Sequence, residues 1–137
     1  QLLYTRNPSY SLTIIGDGPD RKKVEQFITK FKLPVKLMGR IPHEQVIEEL
    51  MTHELYIHTS SKESFSYALL EAKLAGLKTF AYAGLQVPPE FIDIKIDNFE
   101  INDWFDAIIK HHGSPAEIDK NQYTLNRMVG DTLEIGK

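Results

Sequence analysis

The sequence contains no cysteine, which excludes disulfide bonds and thiolate-bound metal sites. No apolar run approaches the roughly 18 residues that span a membrane, and no signal peptide is visible. There is no basic run either, and the formal net charge is -3, so we expect no nucleic-acid partner. The five histidines are not spaced like metal ligands. We therefore expect a cytoplasmic protein without a metal site.

What the chain does contain is typical of a globular domain with a hydrophobic core. Hydrophobic residues make up 42% and charged residues 26% of its 137 residues. This length suits about one domain. The chain begins with Gln1 instead of methionine, so we expect it to be a fragment of a longer protein.

Short β-branched segments alternate with amphipathic segments from residue 11 to about residue 96. The predicted strands are 11–15, 35–38, 55–58, 78–82 and 94–96. The predicted helices are the end of one at 1–6, then 20–31, one opening at Pro42, 65–75, 103–112 and a last one within 114–133. This alternation predicts βαβ units, a mostly parallel sheet and helices on both faces.

Ligands of such sheets bind at the carboxyl ends of the strands. Three turns are expected to meet at that edge, at residues 16–19, 39–41 and 59–66. Gly16 lets the backbone approach a ligand closely, and Arg21 can neutralise a diphosphate. The turn lacks the dinucleotide and P-loop fingerprints, so a simple turn followed by a solvated first helical turn remains an alternative.

The third turn leads into a helix and carries two acids. Ser64 can cap that helix, and the amides of its first turn can bind an anion. Glu63 can accept hydrogen bonds from hydroxyl groups beside a phosphate, and Glu71 can accept from a vicinal diol. From these residues alone, a simpler interpretation stays open, in which the serines only cap the helix and both glutamates are solvated.

Three segments, 14–19, 35–41 and 60–76, occur in the order seen in one large enzyme family. The chain resembles the C-terminal, donor-binding domain of the group 1 (family 4) retaining glycosyltransferases over roughly residues 11–92. The pair Glu63 and Glu71 carries most of the specificity. The resemblance implies a Rossmann-like parallel sheet with helices on both faces, which is one half of a glycosyltransferase-B fold.

The resemblance also implies roles for single residues. Glu63 matches the catalytic-site glutamate that contacts the transferred sugar, and Glu71 matches the one that holds the ribose hydroxyls. The other implied substrate-binding residues are Gly16, Arg21, Arg40, Ile41, Ser64, Phe65, Ser66 and Tyr67. Among them, the amides of 65–67 would meet the diphosphate, Gly16 would border the donor pocket, and residues 40–41 would lie beside the base.

The sequence departs from the family at two positions. Ser64 and Ser66 replace the glycines that are usual there. Because each serine carries a Cβ atom, we expect the loop to be less free to adopt unusual torsion angles.

The function implied is the donor-binding part of a retaining, hexosyltransferase-type enzyme, which moves a sugar from a nucleotide diphosphate to an acceptor hydroxyl in surface polysaccharide synthesis. The donor is a substrate, and no cofactor is expected. We expect residues 1–137 to form a single domain that lacks its first strand and an N-terminal domain. That missing domain would bind the hydroxyl of an acceptor glycan, lipid or protein.

Several expectations follow from this assignment. The fragment alone should be inactive, and its parent protein should be cytoplasmic, or associated peripherally with the inner face of the membrane through the missing parts. Two alternatives remain. One is a non-catalytic nucleotide-binding module, and the other is an interaction module on a Rossmann-like scaffold.

Overall fold

The computed structural model describes residues 1–113, so the helix predicted within 114–133 lies outside the described residues. The described strands are β1 Leu12–Ile15, β2 Val35–Gly39, β3 Leu55–His58, β4 Lys78–Tyr82 and β5 Ile94–Ile96. The helices are α1 Leu2–Arg6, α2 Arg21–Phe31, α3 His43–Leu50, α4 Tyr67–Leu74 and α5 Ile101–His111, with a 3₁₀ turn at Pro89–Phe91. The predicted alternation of strands and helices is confirmed. Within residues 1–113, no helix has both the length and the apolar character needed to cross a membrane.

The chain forms two compact units, which divide between residues 46 and 47. In the first unit, β1 pairs in parallel with β2, and Leu12 lies opposite Val35. The register shifts between Ile14 and Ile15, so that Ile15 lies opposite Gly39. None of residues 1–46 is fully buried.

The second unit contains a parallel sheet with the strand order β3-β4-β5. Its central strand β4 is buried from Lys78 to Ala81, as expected for a strand with neighbours on both sides. Two leucines of α4 pack on this sheet together with residues of the loops that follow β4. The cluster consists of Leu69, Leu70, Ala81, Leu85, Phe91 and Ile92. This buried cluster therefore lies under α4.

The predicted fold class is confirmed, because both sheets are parallel and helices flank them. The strands pair as two sheets, however, where the sequence predicts one. Hydrophobic periodicity identifies a strand but carries no information about which edges form hydrogen bonds, so this division could not be predicted from the pattern. That the whole chain is one domain stays a prediction.

A buried ion pair fixes α4 to the strand beneath it. Lys73 near the end of α4 pairs with Asp93, and their side chains are only 12% and 8% exposed. The Asp93 carboxylate also accepts hydrogen bonds from the amide of Thr79 at 2.9 Å and from its hydroxyl at 3.0 Å. The helix that carries the candidate site is thus held in place by charge as well as by apolar packing.

Candidate functional site

The loop between β3 and α4 has a defined conformation. The Ser60 hydroxyl donates a hydrogen bond to the carbonyl of Lys62 at 3.0 Å. One residue further, the Glu63 carbonyl accepts a hydrogen bond from the amide of Gln86 at 3.0 Å. These two bonds fix the backbone on either side of Glu63 and attach it to the loop that follows β4.

Helix α4 begins two residues later than predicted, and its cap is a different serine. The Leu69 amide donates to the Ser66 hydroxyl oxygen at 3.3 Å, and Ser66 is only 4% exposed. The prediction that Ser64 caps the helix is therefore wrong, because Ser64 lies outside the first turn and is exposed. The amides of Tyr67 and Ala68 have no acceptor within the helix, as is usual for a first turn. They and the helix dipole form a local environment that favours an anion.

The two serines that replace the family's glycines do not strain the loop. Ser66 has a φ of -116°, which any residue can adopt. Among the non-glycine residues of the described chain, only Lys32 has a positive φ. The torsion angles of both serines are thus ordinary, and the Ser66 side chain adds a capping hydrogen bond that glycine lacks.

An open cavity of about 570 Å³ lies beside this loop. Its lining comes from the loop before α4 and from the loop after β4, and consists of Ser61, Lys62, Glu63, Ser64, Gly84 and Gln86. The volume is in the range of small-molecule and cofactor sites. Gly84 has no room for a side chain, because a Cβ atom at this position would lie 2.5 Å from a ring carbon of Tyr82. Lys62 lies within the predicted turn 59–66, whereas Gly84 and Gln86 had no recognisable signal in the sequence.

Tyr56 on β3 lies within the electrostatic influence of both predicted acids. Burial, followed by the negative charges of Glu71 and Glu63, raises the pKa of Tyr56 from 10.0 to about 12. Both carboxylates therefore act on the same phenol, although they come from a loop and from a helix. The sequence analysis did not include Tyr56. The alternation of side chains along β3, which places Tyr56 on the same face as the strand-end residue His58, could have indicated it.

His58 connects Tyr56 with Glu63. Its Nδ1 lies 3.4 Å from the Tyr56 hydroxyl, and its Nε2 lies 3.4 Å from Oε1 of Glu63. The second separation is within ion-pair distance, but the buried Nε2 has no partner that meets the geometry of a hydrogen bond in the described residues. The contact between Nε2 and Oε1 of Glu63 is therefore a long polar contact.

The remaining predicted site residues lie in the first unit. Gly16 has a φ of +122°, which favours glycine, and its amide donates to the Gly39 carbonyl at 2.7 Å. The Arg21 guanidinium lies over Gly39 and pairs with Glu25 at 2.9 Å. The structure thus brings Gly16, Gly39 and Arg21 together, and Arg40 and Ile41 follow directly in the chain.

Within residues 1–113, no group of three or more histidine, aspartate or glutamate side chains is arranged to hold a metal ion. The chemistry available in the second unit is a helix start that attracts anions, flanked by Glu63 and Glu71. This combination suits a ligand that carries both phosphate and hydroxyl groups.

Comparison with known proteins agrees with this chemistry. The family described as "Glycosyl transferases group 1" matches residues 1–103. The chain therefore belongs to the group 1 glycosyl transferases. Its fold is similar to that of a chain in the crystal structure of the GtfA/B complex, with a TM-score of 0.63, 21% identity, and coverage of 80% of this chain and 23% of that chain. The Rossmann-like, glycosyltransferase-B type of fold is confirmed.

Curated relatives are similar over about half of the chain. The gpi3 subunit of the phosphatidylinositol N-acetylglucosaminyltransferase of Schizosaccharomyces pombe is 34% identical over 74 residues, which are 53% of this chain and 16% of that protein. A human subunit of an enzyme with the same name is 31% identical over 78 residues, which are 56% of this chain and 16% of that protein. The GtfA subunit of the UDP-N-acetylglucosamine–peptide N-acetylglucosaminyltransferase of Streptococcus parasanguinis is 31% identical over 83 residues. These residues are 59% of this chain and 16% of that protein. The matched region is thus less than a fifth of each relative.

Proposed function

We propose that this chain binds the donor of a retaining glycosyltransferase, which moves a sugar from a nucleotide diphosphate to an acceptor hydroxyl. The observation that carries the proposal is the arrangement around α4. An exposed loop containing Glu63 leads directly into a capped helix start, and Glu71 lies on the same helix. A single segment of chain thereby offers one environment for phosphate and two acceptors for hydroxyl groups.

The diphosphate would bind at the start of α4. The Tyr67 and Ala68 amides and the helix dipole stabilise negative charge there, and Lys62 adds a positive charge to the cavity lining. This stabilisation matters most for catalysis when the diphosphate departs, because its charge increases as the bond to the sugar breaks. Phe65, Ser64 and Ser66 would shape the same turn.

The two glutamates would bind the hydroxyl groups on either side of the diphosphate. Glu71 would accept hydrogen bonds from the ribose, and Glu63 from the transferred sugar. Glu63 suits the sugar because it lines the cavity, and its backbone is fixed by the Gln86 amide. Orienting the sugar in this way lowers the entropic cost of reaching the transition state.

The names of the relatives suggest the donor. They are called N-acetylglucosaminyltransferases, and the streptococcal protein is named for UDP-N-acetylglucosamine. We therefore propose UDP-N-acetylglucosamine as the donor. The named acceptors differ between phosphatidylinositol and peptide, which fits an acceptor site located outside this domain.

In the proposed reaction, the bond between the anomeric carbon and the phosphate oxygen breaks, and the nucleoside diphosphate leaves with the electron pair. The acceptor oxygen forms the new bond on the same face of the sugar and gives its proton to an oxygen of the departing diphosphate. The acceptor would be bound by an N-terminal domain, so this chain alone should not transfer sugar. A cytoplasmic or inner-membrane location and a role in surface polysaccharide synthesis stay predictions.

The first-unit residues have a smaller part in this proposal. Gly16 would border the donor, Arg21 would contribute positive charge, and Arg40 and Ile41 would lie beside the base. Arg21 already pairs with Glu25, but such a partly exposed pair is weak enough for a diphosphate to compete with it. These four roles rest on the family resemblance and stay predictions.

Calorimetric titration with UDP, UDP-N-acetylglucosamine and GDP-mannose tests the proposal. We expect both uridine ligands to bind, and GDP-mannose to bind at least about tenfold more weakly, which is about 1.4 kcal/mol. Equal binding of UDP and UDP-N-acetylglucosamine, with no donor turnover in the complete protein, would favour the non-catalytic nucleotide-binding module. Absence of binding by every nucleotide would favour the interaction module and contradict the proposal.

A further inference from the structure

Tyr56 and His58 form a stacked pair on one face of β3. The two rings lie 6.0 Å apart with an angle of 27° between their planes. Tyr56 packs against the core cluster under α4, so it provides a fixed support for the histidine. His58 is the last residue of the strand and lies opposite Ala81, which is fully buried. The imidazole therefore stands at the carboxyl end of the sheet on a rigid base.

The two nitrogens of His58 face different groups. Nδ1 faces the Tyr56 hydroxyl and Nε2 faces Oε1 of Glu63, each at 3.4 Å. The His58 side chain is 11% exposed and that of Glu63 is 31% exposed. The ring is therefore largely enclosed, whereas the carboxylate that it faces reaches the cavity.

The Tyr56 hydroxyl is placed to select which nitrogen of His58 carries the proton. The Tyr56 phenol carries a proton that it can donate to Nδ1 of His58. Donation to Nδ1 requires that this nitrogen is unprotonated, so the proton of a neutral ring lies on Nε2, directed at Glu63. The partner of one ring nitrogen commonly fixes the tautomer in this way.

We propose that His58, oriented by Tyr56, is a positioning residue that holds the Glu63 carboxylate in place for the hydroxyl groups of the transferred sugar. This inference rests on the proposed donor-binding function. The Nε2–H group would hold Oε1 of Glu63 and leave Oε2 to accept from the sugar. Contacts of this kind are often long before substrate binds and shorten on binding, which suits the two separations of 3.4 Å.

The charges around His58 agree with this assignment. Glu63 faces the ring from the loop, Tyr56 faces it from its own strand, and the field of Glu71 reaches Tyr56 from α4. The negative charge of Glu63 favours a donor on the ring nitrogen that faces it. A histidine fits this position because it accepts on one side of the ring and donates on the other.

The tautomer can be measured without any ligand. A long-range ¹H–¹⁵N correlation spectrum of the histidine rings distinguishes protonated from unprotonated nitrogens. In the wild-type protein we expect an unprotonated Nδ1 and a protonated Nε2 for His58, and a mixture of tautomers in Tyr56→Phe. A proton on Nδ1 in the wild-type protein would overturn the inference.

The role toward the sugar is measured by the ratio of UDP affinity to UDP-N-acetylglucosamine affinity, determined by calorimetry. Loss of one hydrogen bond to a charged group should change this ratio by about tenfold in His58→Leu, while UDP affinity stays within about twofold. His58→Gln should restore most of the ratio, because its side-chain amide can donate to Glu63. His111→Leu, on α5 and outside the cavity lining, is the matched control and should leave both affinities unchanged.

A ratio in His58→Leu equal to that of the wild-type protein would overturn the positioning role, even if UDP binds normally. If His58→Gln recovers none of the wild-type ratio of affinities, the positioning role is also overturned. Restoring a hydrogen-bond donor would then have no effect, as expected if His58 has a purely steric role. If the wild-type protein binds no nucleotide, the proposed function itself fails, and this inference falls with it.

Discussion

Ser66 and Leu69 close the first turn of α4, because the Leu69 amide donates a hydrogen bond to the Ser66 hydroxyl oxygen at 3.3 Å. Ser66→Ala should therefore reduce the free energy of unfolding by about 1 kcal/mol, the usual cost of losing a helix N-cap. Ser66→Gly should cost only a few tenths of a kcal/mol, because glycine is itself an acceptable cap. Urea denaturation followed by circular dichroism measures both values.

The matched control for this prediction is Ser64→Ala. Ser64 is exposed and lies outside the capped turn, so its replacement should change the unfolding free energy by less than about 0.5 kcal/mol. Equal losses in Ser64→Ala and Ser66→Ala would show that the cap is assigned to the wrong serine.

The buried pair of Lys73 and Asp93 should be important for stability. Lys73→Met leaves the Asp93 carboxylate buried without its cation, which should cost about 3 kcal/mol. Lys23→Met is the matched control, because Lys23 pairs with Asp20 at the surface with side chains 80% and 69% exposed. Removing that surface pair should cost less than about 1 kcal/mol. Similar losses in the two methionine variants, measured by urea denaturation, would contradict the importance of the buried pair.

Tyr56 should make stability fall at high pH. Its folded pKa of about 12 is above the ordinary value of 10.0, so its full contribution to stability is present below about pH 10. Above that pH the unfolded chain releases the phenol proton while the folded chain retains it, and stability is lost as pH rises toward the folded pKa. Between about pH 8 and pH 11 the loss due to this residue should be about 1.4 kcal/mol.

The comparison of wild-type protein with Tyr56→Phe isolates this effect, because all other tyrosines titrate in both proteins. The wild-type unfolding free energy should fall by the larger amount over this pH range. An equal fall in both proteins would mean that the phenol is not shielded as the structure indicates.

Much of the fold could be predicted from the sequence because its signals are local. The apolar spacing of α2 and the β-branched segment of β1 appear within a few residues, and the structure has both elements. The start of α4 was less predictable, because Ser64 and Ser66 are both acceptable caps. Packing of Leu69 and Leu70 into the core sets where the helix starts, and hence which serine caps it. That choice depends on tertiary contacts.

In the candidate site, too, some residues have a local signal in the sequence and others depend on tertiary contacts. Glu63 and Glu71 could be proposed as ligand-binding residues from one continuous segment. The contact between Glu63 and Gln86 joins residues that are far apart in the sequence, and the approach of His58 to Glu63 depends on how the loop folds. The pairing of strands into two sheets is also a long-range property. Such contacts leave no periodic signal in the sequence.

Glu63 and Glu71 should affect different parts of the donor. In Glu63→Gln the affinity for UDP should stay within about twofold, while the additional affinity contributed by the sugar should fall by about tenfold. The reason is that Glu63 lines the cavity before the helix, where the sugar is proposed to bind. Calorimetry with UDP and UDP-N-acetylglucosamine measures the difference, and an equal loss for both ligands would contradict the division of roles.

The most direct test of the account is the dissociation constant of UDP for the wild-type protein and for Glu71→Gln. The account predicts that UDP binds the wild-type protein and that the variant binds it about tenfold more weakly, since hydrogen bonds to a charged group are replaced by weaker neutral ones. Glu48→Gln, an exposed position on α3, should bind UDP like the wild-type protein. No UDP binding by the wild-type protein, or equal affinities in all three proteins, would contradict the account.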